Sequence, residues 1–194
     1  MINKSSNYDR DEFNNNPSID FSIQLIKENI KWFRMSSPET PNYVHSIRVY
    51  ETLKKYWFSD DIQIAWLLHD TKEDCWFDYN KLKWYWYSDR IIELIETCSH
   101  DVLLTNNEKK WESKIKKLIK ANDKDAWAIV IADFLDNLSE PIFINNKERW
   151  SLLLNQKPPV FIYYWNKYFS WTNFYNDFLE IYFSQIKVFN WYFL

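Results

Sequence analysis

Two of the three histidines in this 194-residue chain sit in strings of residues that can do chemistry. His69 and Asp70 stand side by side after an apolar run of Ile62, Ile64, Ala65, Leu67 and Leu68. Groups so costly to take out of water need a hydrogen-bond network or a metal ion in compensation. Asp133 repeats the pattern, since on a helix it shares a face with Ala126, Ile129 and Val130. Together with His45 these residues form a mixed imidazole–carboxylate set, which suits Mn²⁺, Fe²⁺ or Zn²⁺ better than Ca²⁺. Taken singly, each is more often a helix cap or a satisfied core group than a ligand.

Helices must position that set. Apolar residues at Phe21, Ile23, Ile26, Ile30 and Phe33 recur at helical spacing and predict a first helix. It stops before Ser36-Ser37-Pro38-Glu39-Thr40-Pro41, a stretch a helix does not cross easily. His45 to Tyr56 reads as a second helix. Asp60 or Asp61 caps a third, Ile62 to His69, which is apolar nearly all round and therefore a buried central element. Ser88 and Asp89 precede a fourth through Ile91–Ile95, and Lys110–Ile119, Asp125–Leu138 and Asn173–Phe189 follow. Pro141 and Pro158-Pro159 punctuate the later part. No strand alternation emerges, so the expected class is all-α, a compact helical bundle. Residues 1–18, polar and rich in Asn, Ser and Asp, read as a loose tail, and residues 19–194 as a single domain.

Composition excludes several classes of function. A net charge of −3 gives no basic footprint for nucleic acid. No apolar run approaches the roughly 18 residues of a membrane span, and the N-terminal string lacks a signal-peptide core. Cys75 and Cys98 match no disulfide or zinc spacing, so a reducing, cytoplasmic setting is expected. The aromatic string Phe161-Ile-Tyr-Tyr with Phe169, Phe174 and Tyr175 has two readings, a homodimer face or, the commoner use, core.

The motifs resemble those of the HD superfamily of metal-dependent phosphohydrolases. The strings are His45-Ser-Ile-Arg-Val, Ala65-Trp-Leu-Leu-His69-Asp70-Thr-Lys-Glu73-Asp74 and Ile131-Ala-Asp133-Phe-Leu-Asp-Asn137. More narrowly, over roughly residues 21–140, the chain resembles the (p)ppGpp hydrolase domain of RelA/SpoT-type alarmone hydrolases and their small stand-alone relatives. The resemblance implies an HD-domain bundle with one divalent metal, Mn²⁺ in typical members, held by His45, His69, Asp70 and Asp133. It also implies that Glu73 and Asp74 orient and deprotonate the attacking water, with Asn137 contacting the nucleotide substrate. Those hydrolases carry a basic pair ahead of the first histidine. The matching positions here are Ser36 and Ser37, and Arg34 is the nearest cation to take that part. The alternatives are a generic HD nucleotidase acting on nucleoside monophosphates and a non-catalytic nucleotide-binding module.

One anomaly cuts across all of this. The chain has no glycine and 12 tryptophans, whereas average usage of about 7% predicts roughly a dozen glycines. A low-GC genome thins out glycine, but it thins out the UGG codon of tryptophan as well. Against the family pattern, Trp57, Trp66, Trp76 and Trp86 fall where relatives tend to carry glycine. The expectation is that UGA codons read as glycine have been written here as tryptophan.

Overall fold

In the computed structural model the described residues are 17–34, 37–75, 77–139, 153–154 and 157–193. Helix starts are set by short polar side chains. Ser18 accepts from the Phe21 N–H at 3.1 Å and opens α1 (Ile19–Asn29), so the last residue assigned to the tail belongs to the fold as a cap. Residues 1–16 lie outside the described residues.

A two-stranded antiparallel hairpin follows, β1 (Phe33–Arg34) with β2 (Ser37–Pro41). The sequence reading expected no strand. A two-residue strand facing one with a proline at its second and fifth positions has no room to alternate, which is why the pattern was silent. The hairpin delivers the chain to α2 (Tyr43–Lys55).

α3 (Asp60–Cys75) is the central helix. Ile64, Ala65, Trp66, Leu67 and Leu68 are all buried, packed against α1, α2, α5 (Asp89–Cys98) and α7 (Lys124–Leu138). The expected end at His69 is too early. Thr71 turns its hydroxyl back onto the Leu68 carbonyl at 2.5 Å, and the helix runs to Cys75. His69 and Asp70 therefore lie inside a helix, where the apolar pattern breaks because these side chains face a polar site. Asp60 and Asp61, expected as caps, sit in the first turn, where carboxylates oppose the positive end of the helix.

Asp78 caps the short α4 (Tyr79–Trp84), which the sequence reading did not assign. Ser88, as expected, caps α5 by accepting from the Ile91 N–H at 3.2 Å. Asn106 caps α6 (Asn107–Ala121), and Asp123 accepts from the Asp125 N–H at the start of α7. α8 (Pro158–Phe169) also escaped the sequence reading, which took its two prolines as punctuation. Proline fits the first turn of a helix, where its missing N–H has no partner to lose. α9 (Asn173–Phe193) closes the bundle. Of the aromatic string, Phe161, Phe169 and Phe174 are buried between α7, α8 and α9 together with Trp165 and Phe178 and serve as core, whereas Tyr163 is exposed. The described chain is all-α apart from the hairpin, and no helix in it is long and apolar enough to cross a membrane.

The start of α7 is clamped. Arg90 on α5 donates Nη2–H to Asp123 at 3.1 Å and to Asp125 at 2.7 Å, and its Nη1 pairs with the other Asp123 oxygen. Burial opposes ionisation of Asp123, but Arg90 wins and holds its carboxyl below the usual range. This fork fixes the helix that carries Asp133. Arg90→Ala is expected to lower the unfolding free energy by about 1–3 kcal/mol, measured by urea denaturation. A loss under about 0.5 kcal/mol, the range of ordinary surface changes, would remove the clamp from the account.

Candidate metal centre

Three helices meet at the polar break in the core. α2 contributes His45, α3 contributes His69 and Asp70, and α7 contributes Asp133. Both imidazoles are buried. Ligand atoms of His45, His69 and Asp70 lie within 4.8 Å of one another, a spacing that can hold a metal ion. Asp133 joins them through its Oδ1, 3.2 Å from His45 Nε2. Three of the four residues expected as ligands thus form a group that can hold a metal ion, and Asp133 lies beside it against His45.

The orientation of the rings is set from behind. His69 donates its Nδ1–H to the Trp66 carbonyl one turn back, at 2.7 Å, and turns Nε2 toward Asp70 Oδ1, also at 2.7 Å. His45 donates its Nδ1–H to Asp136 Oδ2 at 2.6 Å and turns Nε2 toward Asp133. With both Nδ1 atoms spent as donors, each ring presents an Nε2 lone pair to the same space once its Nε2 proton is displaced. That is the tautomer a metal-binding histidine needs, and the bond behind each ring fixes it. Two nitrogen and two carboxylate donors match the preference of first-row divalent cations.

Asp136 escaped the sequence reading. Its carboxylate accepts the His45 Nδ1–H and also two bonds from Arg48, Nε to Oδ1 and Nη2 to Oδ2, each 2.7 Å. Burial works against its charge, but Arg48 and then His45 keep its pKa low. A signal was present, because Arg48 and Asp136 each stand three residues after an expected ligand, one helical turn on the same face.

The charges balance across the cluster. Burial would pull the His45 pKa down, but Asp133 and Asp136 outweigh it and raise it to about 9. His69 is raised in the same way, against burial, by Asp70. Asp70 and Asp133 stay ionised against their burial because the histidines face them, with Lys114 of α6 adding to the pull on Asp133.

Glu73 lies one turn beyond Asp70 on α3, and its Oε1 accepts two hydrogen bonds from His100. Burial opposes its charge, but Lys114 and His100 hold its pKa below the usual range. Lys114 and His100 were not singled out from the sequence. Asp74 is in the last turn of α3, but its side chain lies outside the described residues, as do Ser36 and the side chain of Ser37. The two expected substrate contacts come together: Arg34 Nη2 donates to Asn137 Oδ1 at 3.3 Å. Asn137 Nδ2 in turn donates to Asp133 Oδ1 at 2.5 Å. Arg34, Asn137 and Asp133 therefore form a chain from the hairpin into the metal set.

No protein-family model and no curated protein matches this chain.

The raised pKa of His45 makes a pH prediction for cation binding. His45 keeps its proton up to pH of about 9, so a cation that takes Nε2 below that pH must displace it. Divalent-cation affinity is expected to rise with pH up to about 9 and then level off. Calorimetric titrations in buffers of different ionisation enthalpy read the proton release. Uptake that is independent of pH below 9 would contradict the assignment of His45.

Proposed function

We propose that this chain is a metal-dependent phosphohydrolase of the HD type, acting on a phosphate or pyrophosphate ester of a nucleotide, with the 3′-pyrophosphate of (p)ppGpp as first candidate. The observation that carries the reading is the pair of buried imidazoles, each tied at Nδ1 and aiming Nε2 at a carboxylate. His45, His69, Asp70 and Asp133 would hold one divalent cation, Mn²⁺ by resemblance. The cation, when bound, polarises the phosphoryl group and lowers the pKa of a coordinated water.

The remaining work falls to this chain's own groups. Glu73 is anionic and one helical turn from the ligands, which suits a carboxylate that takes the proton of the attacking water. Asp74 is assigned to the same task by resemblance. Arg34 and Asn137 stand together beside Asp133, which supports assigning them to the nucleotide. Lys114 brings positive charge toward Glu73, Asp133 and Asp70, where phosphate oxygens would need it.

A second reading, a nucleotidase acting on nucleoside monophosphates, is favoured by Ser36 and Ser37 at the positions where alarmone hydrolases carry their basic pair. One assay separates the two. Purified protein with Mn²⁺ is given ppGpp, pppGpp, GMP and dAMP, alongside Asp70→Ala. Turnover of the first pair and loss of both turnover and cation binding in the variant are expected. Equal turnover by Asp70→Ala would refute the metal set, and turnover of monophosphates alone would refute the alarmone substrate.

A further inference from the structure

His100 is the one histidine that the metal set leaves out. It follows α5, whose C-cap is Ser99, and it is largely buried. Its backbone N–H donates to Glu73 Oε1 at 2.9 Å, and its Nδ1 reaches the same oxygen at 2.8 Å. A carboxylate only accepts, so Nδ1 carries a hydrogen. Two donors on Oε1 leave Oε2 as the more basic oxygen and fix the carboxylate plane. Building on the phosphohydrolase reading, we propose that His100 is a positioning residue that holds Glu73 so that Oε2 takes the proton of the attacking water.

The test uses Mn²⁺-loaded protein and the substrate that the wild type turns over best. His100→Ala is expected to lower kcat about 10-fold or more, within the range ascribed to a positioned acid–base group, with KM and bound Mn²⁺ unchanged. His100→Asn, whose amide N–H lies close to the place of Nδ1–H, is expected to restore most of the rate. Alanine at wild-type kcat, or asparagine no better than alanine, would overturn the positioning role while leaving the hydrolase reading intact. No turnover of any substrate by the wild type would overturn both.

A second inference rests on the backbone alone. Four non-glycine residues have positive φ among the described residues: Trp57 (62°), Trp86 (69°), Trp171 (73°) and Asn122 (51°). Asparagine tolerates this region, whereas a bulky aromatic residue does not. At the end of α2, Trp57 N–H donates to the Lys54 carbonyl and Phe58 N–H to the Leu53 carbonyl. At the end of α4, Trp86 N–H donates to Lys83 and Tyr87 N–H to Leu82. Both are the paired 5→2 and 6→1 bonds of a Schellman ending, and each tryptophan holds the position that glycine dominates. After α8, Ser170 (φ −49°, ψ 138°) and Trp171 form a type II turn closed by Thr172 N–H on the Phe169 carbonyl, with Trp171 at the glycine site.

None of the three rings has a packing reason to be there, since Trp57 is 93%, Trp86 72% and Trp171 96% exposed. Elsewhere two buried tryptophans, Trp127 and Trp165, leave their indole N–H without a partner, which natural cores rarely do. The geometry points to glycine at 57, 86 and 171 in the protein as the cell makes it, encoded by UGA triplets.

Reading the three codons and the tryptic peptides of the natively expressed protein tests this. TGA codons with glycine in the peptides are expected, and TGG or peptide tryptophan at any of the three overturns the proposal. In the chain as written, Trp→Gly at each position is expected to raise the unfolding midpoint by about 2–4 °C, and Trp→Ala, which keeps a Cβ, is not. An equal gain from alanine would mean that the ring, not the backbone, was the burden, and would overturn the conformational argument.

Discussion

Everything at the centre of this molecule depends on keeping two imidazoles and two carboxylates charged or polar out of contact with bulk water. Each such group alone would be costly, and here each is answered by a partner: His69 and Asp70 by each other within α3, His45 and Asp133 by each other across α2 and α7. Asp136 is the keystone of that arrangement. It faces His45 with one oxygen and Arg48 with both, so one carboxylate joins α7 to α2 and sets the ring that looks into the site. Replacing it with an apolar residue would leave the His45 Nδ1–H without its acceptor and the ring free to turn, which is how a bond one layer behind a ligand governs the ligand itself.

The helices that carry the candidate site were legible because their apolar faces are long and interrupted at one place. α3 and α7 each show a buried run broken by an acidic residue, and those breaks are the site. What was not legible lacks that contrast. The β1–β2 hairpin is too short for alternation, α4 has six residues, and α8 opens on two prolines that mimic a stop. The true end of α3 was hidden because its last turn is polar on purpose, with Glu73 facing His100 rather than solvent. Arg48 and Asp136 were not singled out, since a sequence shows spacing along one helix but not which helix stands opposite. His100 follows a helix that ends in the core, and nothing local marks its partner 27 positions away.

The tryptophans divide in the same way. At 57 and 86 the expectation of glycine came from motif context, and the backbone there is left-handed. At 66 the residue is in ordinary helix, its ring stacked 3.7 Å from the His69 ring and its N–H on the Ser46 carbonyl, so conformation is silent about it. Trp76 lies outside the described residues. Trp171 could not be picked out from sequence, because only the turn around it shows which residue must have φ > 0.

Those three left-handed turns tie the protein to a particular genetic code. Trp32 precedes His45, His69, Asp70 and Asp133 in the chain. Should that codon be UGA as well, a bacterium that reads UGA as stop and acquired the gene would release a fragment holding α1 and none of the metal set. The intact protein could then be inherited only among lineages sharing the same tRNA, and horizontal transfer would deliver the sequence without its candidate site.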